Sequence, residues 1–265
     1  MKPLEKLARR IKESKSLVSV GLDSEVSKLP ERFKNVAKPQ FEFNKWIIEQ
    51  THEHVAAYKP NMAFYEAQGS SGWEQLQMTM DYLAKFHSDI FTICDAKRAD
   101  IDSTNKGYVT AIFDRLRFDA ITLHPYLGKE ALEPFLERDD KVSIILCKTS
   151  NSGSGEFQDL EVDGRPLWQM VATQVAEKWN QHNNCMLVVG ATYPTQLKQI
   201  RKIVGEMTLL IPGIGVQGGN LELVVKNGIN SEKAGLIINS ARGVIFSVEP
   251  GQVARDLKES INAFR

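Results

Sequence analysis

Short apolar runs alternate along the chain with longer stretches in which apolar residues recur every three or four positions. The runs are SLVSVGLD (16–23), VAAYKP (55–60), IFTICDAK (90–97), DAITLHP (119–125), VSIILCKTS (142–150), MLVVGAT (186–192), TLLIPGIG (208–215) and AGLIINSA (234–241). Near-continuous apolar character of this kind suits parallel strands whose sheet is covered on both faces. Between the runs the spacing predicts helices. Phe43, Trp46 and Ile47 share a face, as do Leu76, Met80 and Leu83, and Val109, Ile112, Phe113 and Leu116. Leu167, Val171, Val175 and Trp179 form a row spaced by four. Pro194 and Pro250 stand where first helical turns begin, ahead of Leu197, Ile200 and Val204 and of Val253, Leu257 and Ile261. Leu4, Leu7, Ala8 and Ile11 mark an amphipathic helix at the N-terminus. Strand–helix units repeated in this way predict an α/β fold, a (β/α)8 barrel with an N-terminal helix, spanning 1–265 as one domain; a doubly wound open sheet is the alternative. The stretch 151–165 is the longest without a pattern, and reads either as a lid or as a plain surface loop.

Composition narrows the function classes. The chain is 42% hydrophobic and 25% charged, as expected of a soluble globular protein. Lys+Arg and Asp+Glu are both 33, so no global basic field exists to attract nucleic acid, although a local pocket for a small anion remains open. Cys94, Cys147 and Cys185 lie in or beside apolar runs without CxxC spacing, which suits reduced, buried thiols of a cytoplasmic protein rather than zinc ligands. The N-terminal MKPLEKLARRIKESK is charged throughout, so it is not read as a signal peptide. No apolar run approaches the ~20 residues of a membrane span.

Chemistry-bearing residues gather at the predicted strand ends: Asp23, Lys59, Asp95, Lys97, Thr149, Ser150 and Arg242. Barrels of this kind carry their catalytic groups at those ends. Strand alternation puts Ile93, Asp95 and Lys97 on one side, with Lys97 a layer above Asp95 and Asp100 beyond the strand. Buried charge is costly unless paired, so the cluster is either functional or a solvated rim of loose ion pairs, each worth about 0–1 kcal/mol. Taken singly, Lys59 reads as a snorkelling lysine and Asp23 as a helix cap. GIGVQGG (213–219) and NSARG (239–243) follow the seventh and eighth strands, where such barrels bind phosphate; the plainer reading is two tight turns and an exposed arginine. GIGVQG also matches G-x-G-x-x-G, but the next strand ends in IINSARG without an acid, so dinucleotide binding is not expected.

DAKRADIDST (95–104) resembles the D-x-K-x-x-D-I signature of orotidine 5′-monophosphate decarboxylases. GLD (21–23), YKPNMAFYE (58–66), PGIGVQGG (212–219) and NSARG fit the same family in the same order, so the resemblance covers nearly the whole chain. It is greatest to the longer, divergent branch, with KPN after the second strand and an extended loop after the fifth. Ala99 stands where that family would have glycine. The resemblance implies conversion of orotidine 5′-monophosphate to uridine 5′-monophosphate and CO2 in pyrimidine biosynthesis, with no metal, pyridoxal or thiamine cofactor. It implies that Lys97 stabilises and protonates a C6 carbanion, that Asp95 lies against the substrate carboxylate, and that Lys59 holds Asp95 and reaches the ribose. Asp100, accompanied by Ile101 and Thr104, would cross from the partner subunit of a homodimer. Asp23 would bind ribose hydroxyls, Thr149 and Ser150 would read the pyrimidine edge, and Gln217 and Arg242 would hold the phosphate. Two alternatives stay open: a Mg²⁺-dependent sugar-phosphate barrel using the same D-x-K-x-x-D, and a nucleotide-binding barrel without catalysis.

Overall fold

The computed structural model describes residues 1–214 and 219–265. Its main sheet is a closed parallel barrel of β1 (Val18–Val20), β2 (Ala57–Tyr58), β3 (Phe91–Arg98), β4 (Ala120–Leu123), β5 (Val142–Lys148), β6 (Cys185–Val189), β7 (Leu209–Pro212) and β8 (Leu236–Ser240). Sequential strands are neighbours, and β8 closes on β1 with Val18 opposite Ile238. Every predicted apolar run overlaps one of these strands, to within one residue at the end of β3 and the start of β6, and closure excludes the open-sheet alternative. The reason is visible in burial: every residue of β4 and of β6 is enclosed, which only a sheet covered on both sides allows. A fully buried Leu, Ile or Phe in such a core contributes about 1.5–3 kcal/mol.

Most predicted helical faces pack as expected. Helix Pro39–Thr51 buries Phe43 and Ile47, and Gly69–Phe86 buries Leu76, Met80 and Leu83. Helix Pro194–Val204 starts at its proline and buries Leu197, Ile200 and Val204. Two faces differ. In the helix beginning at Leu167 the buried side chains are Trp168, Ala172, Val175 and Trp179, so the row spaced by four is buried at Val175 and Trp179 and only half-buried at Leu167 and Val171. Steps of four advance 40° past a full turn each time, whereas steps of four, three and four keep a stripe on one side. The N-terminal helix, Pro3–Ser14, buries Leu7 and Ile11 but leaves Ala8 exposed. That helix is tied across the N-terminal end of the barrel by Lys6 to Asp119 at 2.7 Å and by Arg10 to Asp89 at 2.6 Å.

The stretch 151–165 is structured. It holds a turn at Ser152–Ser154, a short helix Gly155–Gln158, and a hairpin pairing Glu161–Val162 with Arg165–Pro166. Asp163 and Gly164 both take positive φ, 53° and 70°, which is the two-residue reversal that an Asp-Gly pair favours. Its elements are too short to produce a periodicity. All three cysteines are buried and free. No helix among the described residues is long and apolar enough to cross a membrane.

Candidate active site

The rim of the barrel is built around an irregularity in β3. Cys94 pairs with Ile121 and Arg98 with Leu123, so β3 carries extra residues between two successive contacts with β4. Lys97 takes the left-handed conformation, φ 48°, at this bulge. A non-glycine residue held there costs about 1–3 kcal/mol, and such residues cluster at functional sites. Thr122 of β4 secures it. Its Oγ1 accepts from the backbone N–H of Ala96 and of Lys97, both at 3.0 Å, and donates to Asp95 Oδ1 at 2.9 Å. Lys97 is therefore not simply one layer above Asp95 on a regular strand; the bulge lets its side chain bend back onto the carboxylate.

Asp95 lies between two lysines. Lys59 Nζ donates to Oδ2 at 2.7 Å and Lys97 Nζ to Oδ1 at 2.5 Å. Lys59 and Asp95 are 4% and 8% exposed, which removes the snorkelling reading of Lys59; Lys97 is half-exposed. Burial alone would raise the Asp95 carboxyl, but the charges of Lys59 and Lys97 and the bonds they donate outweigh it and hold it below the ordinary carboxylate value. Burial likewise opposes the Lys59 ammonium, and Asp95 and Asp23 overcome that, raising its pKa. Asp23 shows the opposite balance: burial raises its carboxyl despite the nearby charges of Lys59, Lys97 and Arg242. Its Oδ1 is enclosed without a hydrogen-bond partner among the described residues. Asp23 caps no helix; the following turn, Val26–Lys28, has Glu25 at its cap position and no side-chain cap bond.

The ends of β1 and β8 are pressed together. Gly21 N–H donates to Ser240 carbonyl at 2.8 Å, and a Cβ at Gly21 would stand 2.5 Å from the Ala241 Cβ. That approach sets Asp23 beside Arg242, which begins the short helix Arg242–Ile245. Asp23, Lys59, Asp95, Ile214, Asn239 and Arg242 line a cavity of about 190 Å³. The loop after β7 is closed at its base by Gly219 N–H to Gly213 carbonyl, 3.3 Å; Gln217 lies outside the described residues.

An adjoining cavity of about 380 Å³ shares Lys59, Asp95 and Pro212 with the first and adds Lys97, Thr122, Thr149, Ser150, Asn151 and Gln158. The barrel mouth thus brings together Asp23, Lys59, Asp95, Lys97, Thr149, Ser150 and Arg242. Thr149 and Ser150 are held differently: the N–H and hydroxyl of Thr149 are engaged by Gln158, whereas the Ser150 hydroxyl makes no hydrogen bond to a described residue. Asp100 is not brought to the Lys97 of its own chain: its Oδ1 accepts from Ile101 N–H at 2.7 Å, and Asn105 holds its backbone. Ile101 and Thr104 are exposed. Sequence reasoning passed over Thr122, Lys148 and Gln158. A lone threonine in the apolar AITL and a lysine in IILCK were the available signals. A larger groove of about 750 Å³ lies at the opposite end, among Leu7, Glu206, Asn230 and Arg265, remote from these strand ends.

Fold and rim together define a (β/α)8-barrel enzyme with a Lys–Asp–Lys array, one buried carboxylate between two ammonium groups, at the C-terminal ends of its strands. The family model described as Orotidine 5′-phosphate decarboxylase / HUMPS family matches residues 16–257. The chain is 43% identical to the orotidine 5′-phosphate decarboxylase of Cellvibrio japonicus, over 99% of this chain and 98% of that one. It is 44% identical to that of Flavobacterium johnsoniae, over 96% and 93%. The structure of Leishmania donovani OMP decarboxylase superposes with a TM-score of 0.90 at 38% identity, covering 100% of this chain and 99% of that one. The chain belongs to the orotidine 5′-phosphate decarboxylase / HUMPS family, and within it is a carboxy-lyase.

Proposed function

We propose that the chain decarboxylates orotidine 5′-monophosphate to uridine 5′-monophosphate within pyrimidine biosynthesis. The observation that carries this reading is the buried Lys59–Asp95–Lys97 array. Loss of CO2 from C6 leaves an electron pair in the plane of the pyrimidine ring, where the π system cannot take it up. A fixed cation beside C6 stabilises that pair with little reorganisation. Lys97 is the half-exposed lysine of the array, so it faces C6 and transfers a proton from Nζ to the carbanion; solvent then returns a proton to the amine. Asp95, held ionised by its two lysines, lies against the substrate carboxylate, and the repulsion falls as CO2 departs. Binding energy from the remote phosphate offsets that repulsion.

The other groups follow from their places. Arg242 receives the phosphate, with Gln217 of the loop after β7. Asp23, with an enclosed carboxylate oxygen that has no partner among the described residues, takes ribose hydroxyls as donors, and Lys59 adds a contact there. Ser150, with Thr149 behind it, faces the base. The reading calls for no metal or organic cofactor. It also calls for a homodimer. Asp100 does not reach the Lys97 of its own chain, and Ile101, Tyr126 and Leu127 leave apolar surface around the same rim, 57%, 84% and 44% exposed. In a dimer Asp100 completes the partner's array and Ile101 and Thr104 cover its substrate. The test is the ultraviolet absorbance of orotidine 5′-monophosphate with purified protein and excess EDTA. The expected result is a steady fall with stoichiometric uridine 5′-monophosphate. Turnover only with added Mg²⁺, or none by folded protein, would overturn the reading.

A further inference from the structure

The segment after β5 is tied at its neck by two nested pairs. Lys148, wholly buried, donates to both carboxylate oxygens of Asp159 at 2.8 Å and to Ser154 Oγ at 3.3 Å, and its Nζ stands 4.4 Å over the Tyr193 ring. One residue inward, Thr149 N–H donates to Gln158 Oε1 at 2.9 Å, and Gln158 Nε2 donates to Thr149 Oγ1 at 2.8 Å. The Thr149 hydroxyl passes its own proton to Asn151 Oδ1 at 2.7 Å. A buried ammonium loses heavily if its partner leaves, so the neck is fixed. The sense of the Gln158 amide is fixed with it. A backbone N–H can only donate, so Oε1 must face Thr149 N and Nε2 must face the hydroxyl. One Nε2 proton is used there; the second has no acceptor within reach among the described residues. Gln158 lines the cavity that holds Lys59, Asp95 and Lys97.

Ring geometry says what that proton meets, given the substrate reading above, on which this inference rests. Across a pyrimidine from C6 lies N3, flanked by the C2 and C4 carbonyls. With C6 at Lys97, the far wall faces this imide edge. The C2 carbonyl adjoins N1 and the ribose, toward Asp23 and Arg242, which leaves the C4 carbonyl for the loop after β5. We propose that Gln158 is a specificity-determining residue that donates from Nε2 to the C4 carbonyl, its amide oriented by Thr149 and its loop anchored by Lys148–Asp159. A cytosine ring carries an amino group at C4, so donor meets donor and the base is rejected.

The experiment is calorimetric binding of uridine and cytidine 5′-monophosphates to wild type, Gln158→Ala and Gln158→Glu, beside wild-type turnover of orotidine 5′-monophosphate. Gln158→Glu keeps an oxygen for Thr149 N–H but replaces the donor with an acceptor. The expected result for Gln158→Ala is about a tenfold loss of uridine nucleotide affinity with the cytidine nucleotide changed by less than about twofold. Gln158→Glu should narrow or invert the preference. Equal losses for both nucleotides, or a uridine-to-cytidine ratio unmoved in either variant, would overturn the assignment while wild-type turnover stands. Wild type without turnover would overturn the substrate reading and this inference together.

Discussion

Replacing Asp95 by Asn removes the charge that compensates two lysines while keeping the side chain's size. Lys59 is 4% exposed and loses a 2.7 Å partner, Lys97 loses one at 2.5 Å, and an amide nitrogen then faces one ammonium or the other. Removing one member of a buried pair costs about 3–5 kcal/mol. At about 2–4 °C per kcal/mol for a chain near this size, the melting midpoint should fall by roughly 6–20 °C. Urea denaturation at pH 7 measures the free energy directly. The pH dependence gives a second check. The Asp95 carboxyl is depressed in the folded state, so its contribution is fully present above the unfolded value of 3.8 and is lost as pH falls through the folded value. Lys59 is raised above 10.5, so its share persists until alkaline pH, beyond that value. The wild-type advantage over Asp95→Asn should therefore be flat through neutral pH and shrink below about pH 4. Converting both partners, Lys59→Met with Asp95→Leu, should restore much of the lost stability. Equal midpoints at pH 7, or a gap that widens toward pH 3, would refute the electrostatic account of the array.

Other sites give predictions of different sign. Asp23→Asn should raise stability at pH 7 by about 1–2 kcal/mol, because an enclosed oxygen without a partner among the described residues penalises the ionised form. Its carboxyl is raised, so that penalty is absent below 3.8 and grows as pH rises toward the folded value; the same variant should lose nucleotide affinity in calorimetry. Thr122→Val should cost about 1–3 kcal/mol in urea denaturation, since it orphans the N–H groups of Ala96 and Lys97, and should lower kcat by misplacing Lys97. Subunits carrying Asp100→Ala mixed with subunits carrying Lys97→Ala should regain activity if sites are shared, because one mixed site keeps both residues; verified heterodimers without activity would contradict sharing.

The barrel was legible because strands buried on both faces leave continuous apolar runs, such as VSIILC and MLVV, that need no alternation to be recognised. The rim was legible because charge at the end of an apolar run is conspicuous. Register was not. Alternation placed Lys97 above Asp95, while the bulge against β4 and the positive φ of Lys97 bend it back, a local choice stabilised by Thr122 on another strand. Lys148 looked like one more residue of an apolar run, since its partner Asp159 becomes visible only when the chain returns. The Asp163–Gly164 reversal was present in the sequence as VDGR, but its flanking strands are too short to alternate. Asp100 could not be paired from one chain, because its own Lys97 is not where its carboxylate goes.

The most direct test of the account is the turnover of orotidine 5′-monophosphate by Lys97→Ala, with circular dichroism and nucleotide binding as controls for folding. Lys97 is half-exposed and packs no core, so the variant should fold, bind uridine 5′-monophosphate and lose nearly all decarboxylation. A folded Lys97→Ala protein that turns over substrate at the wild-type rate would contradict the assignment of Lys97 as the group that stabilises and protonates the C6 carbanion.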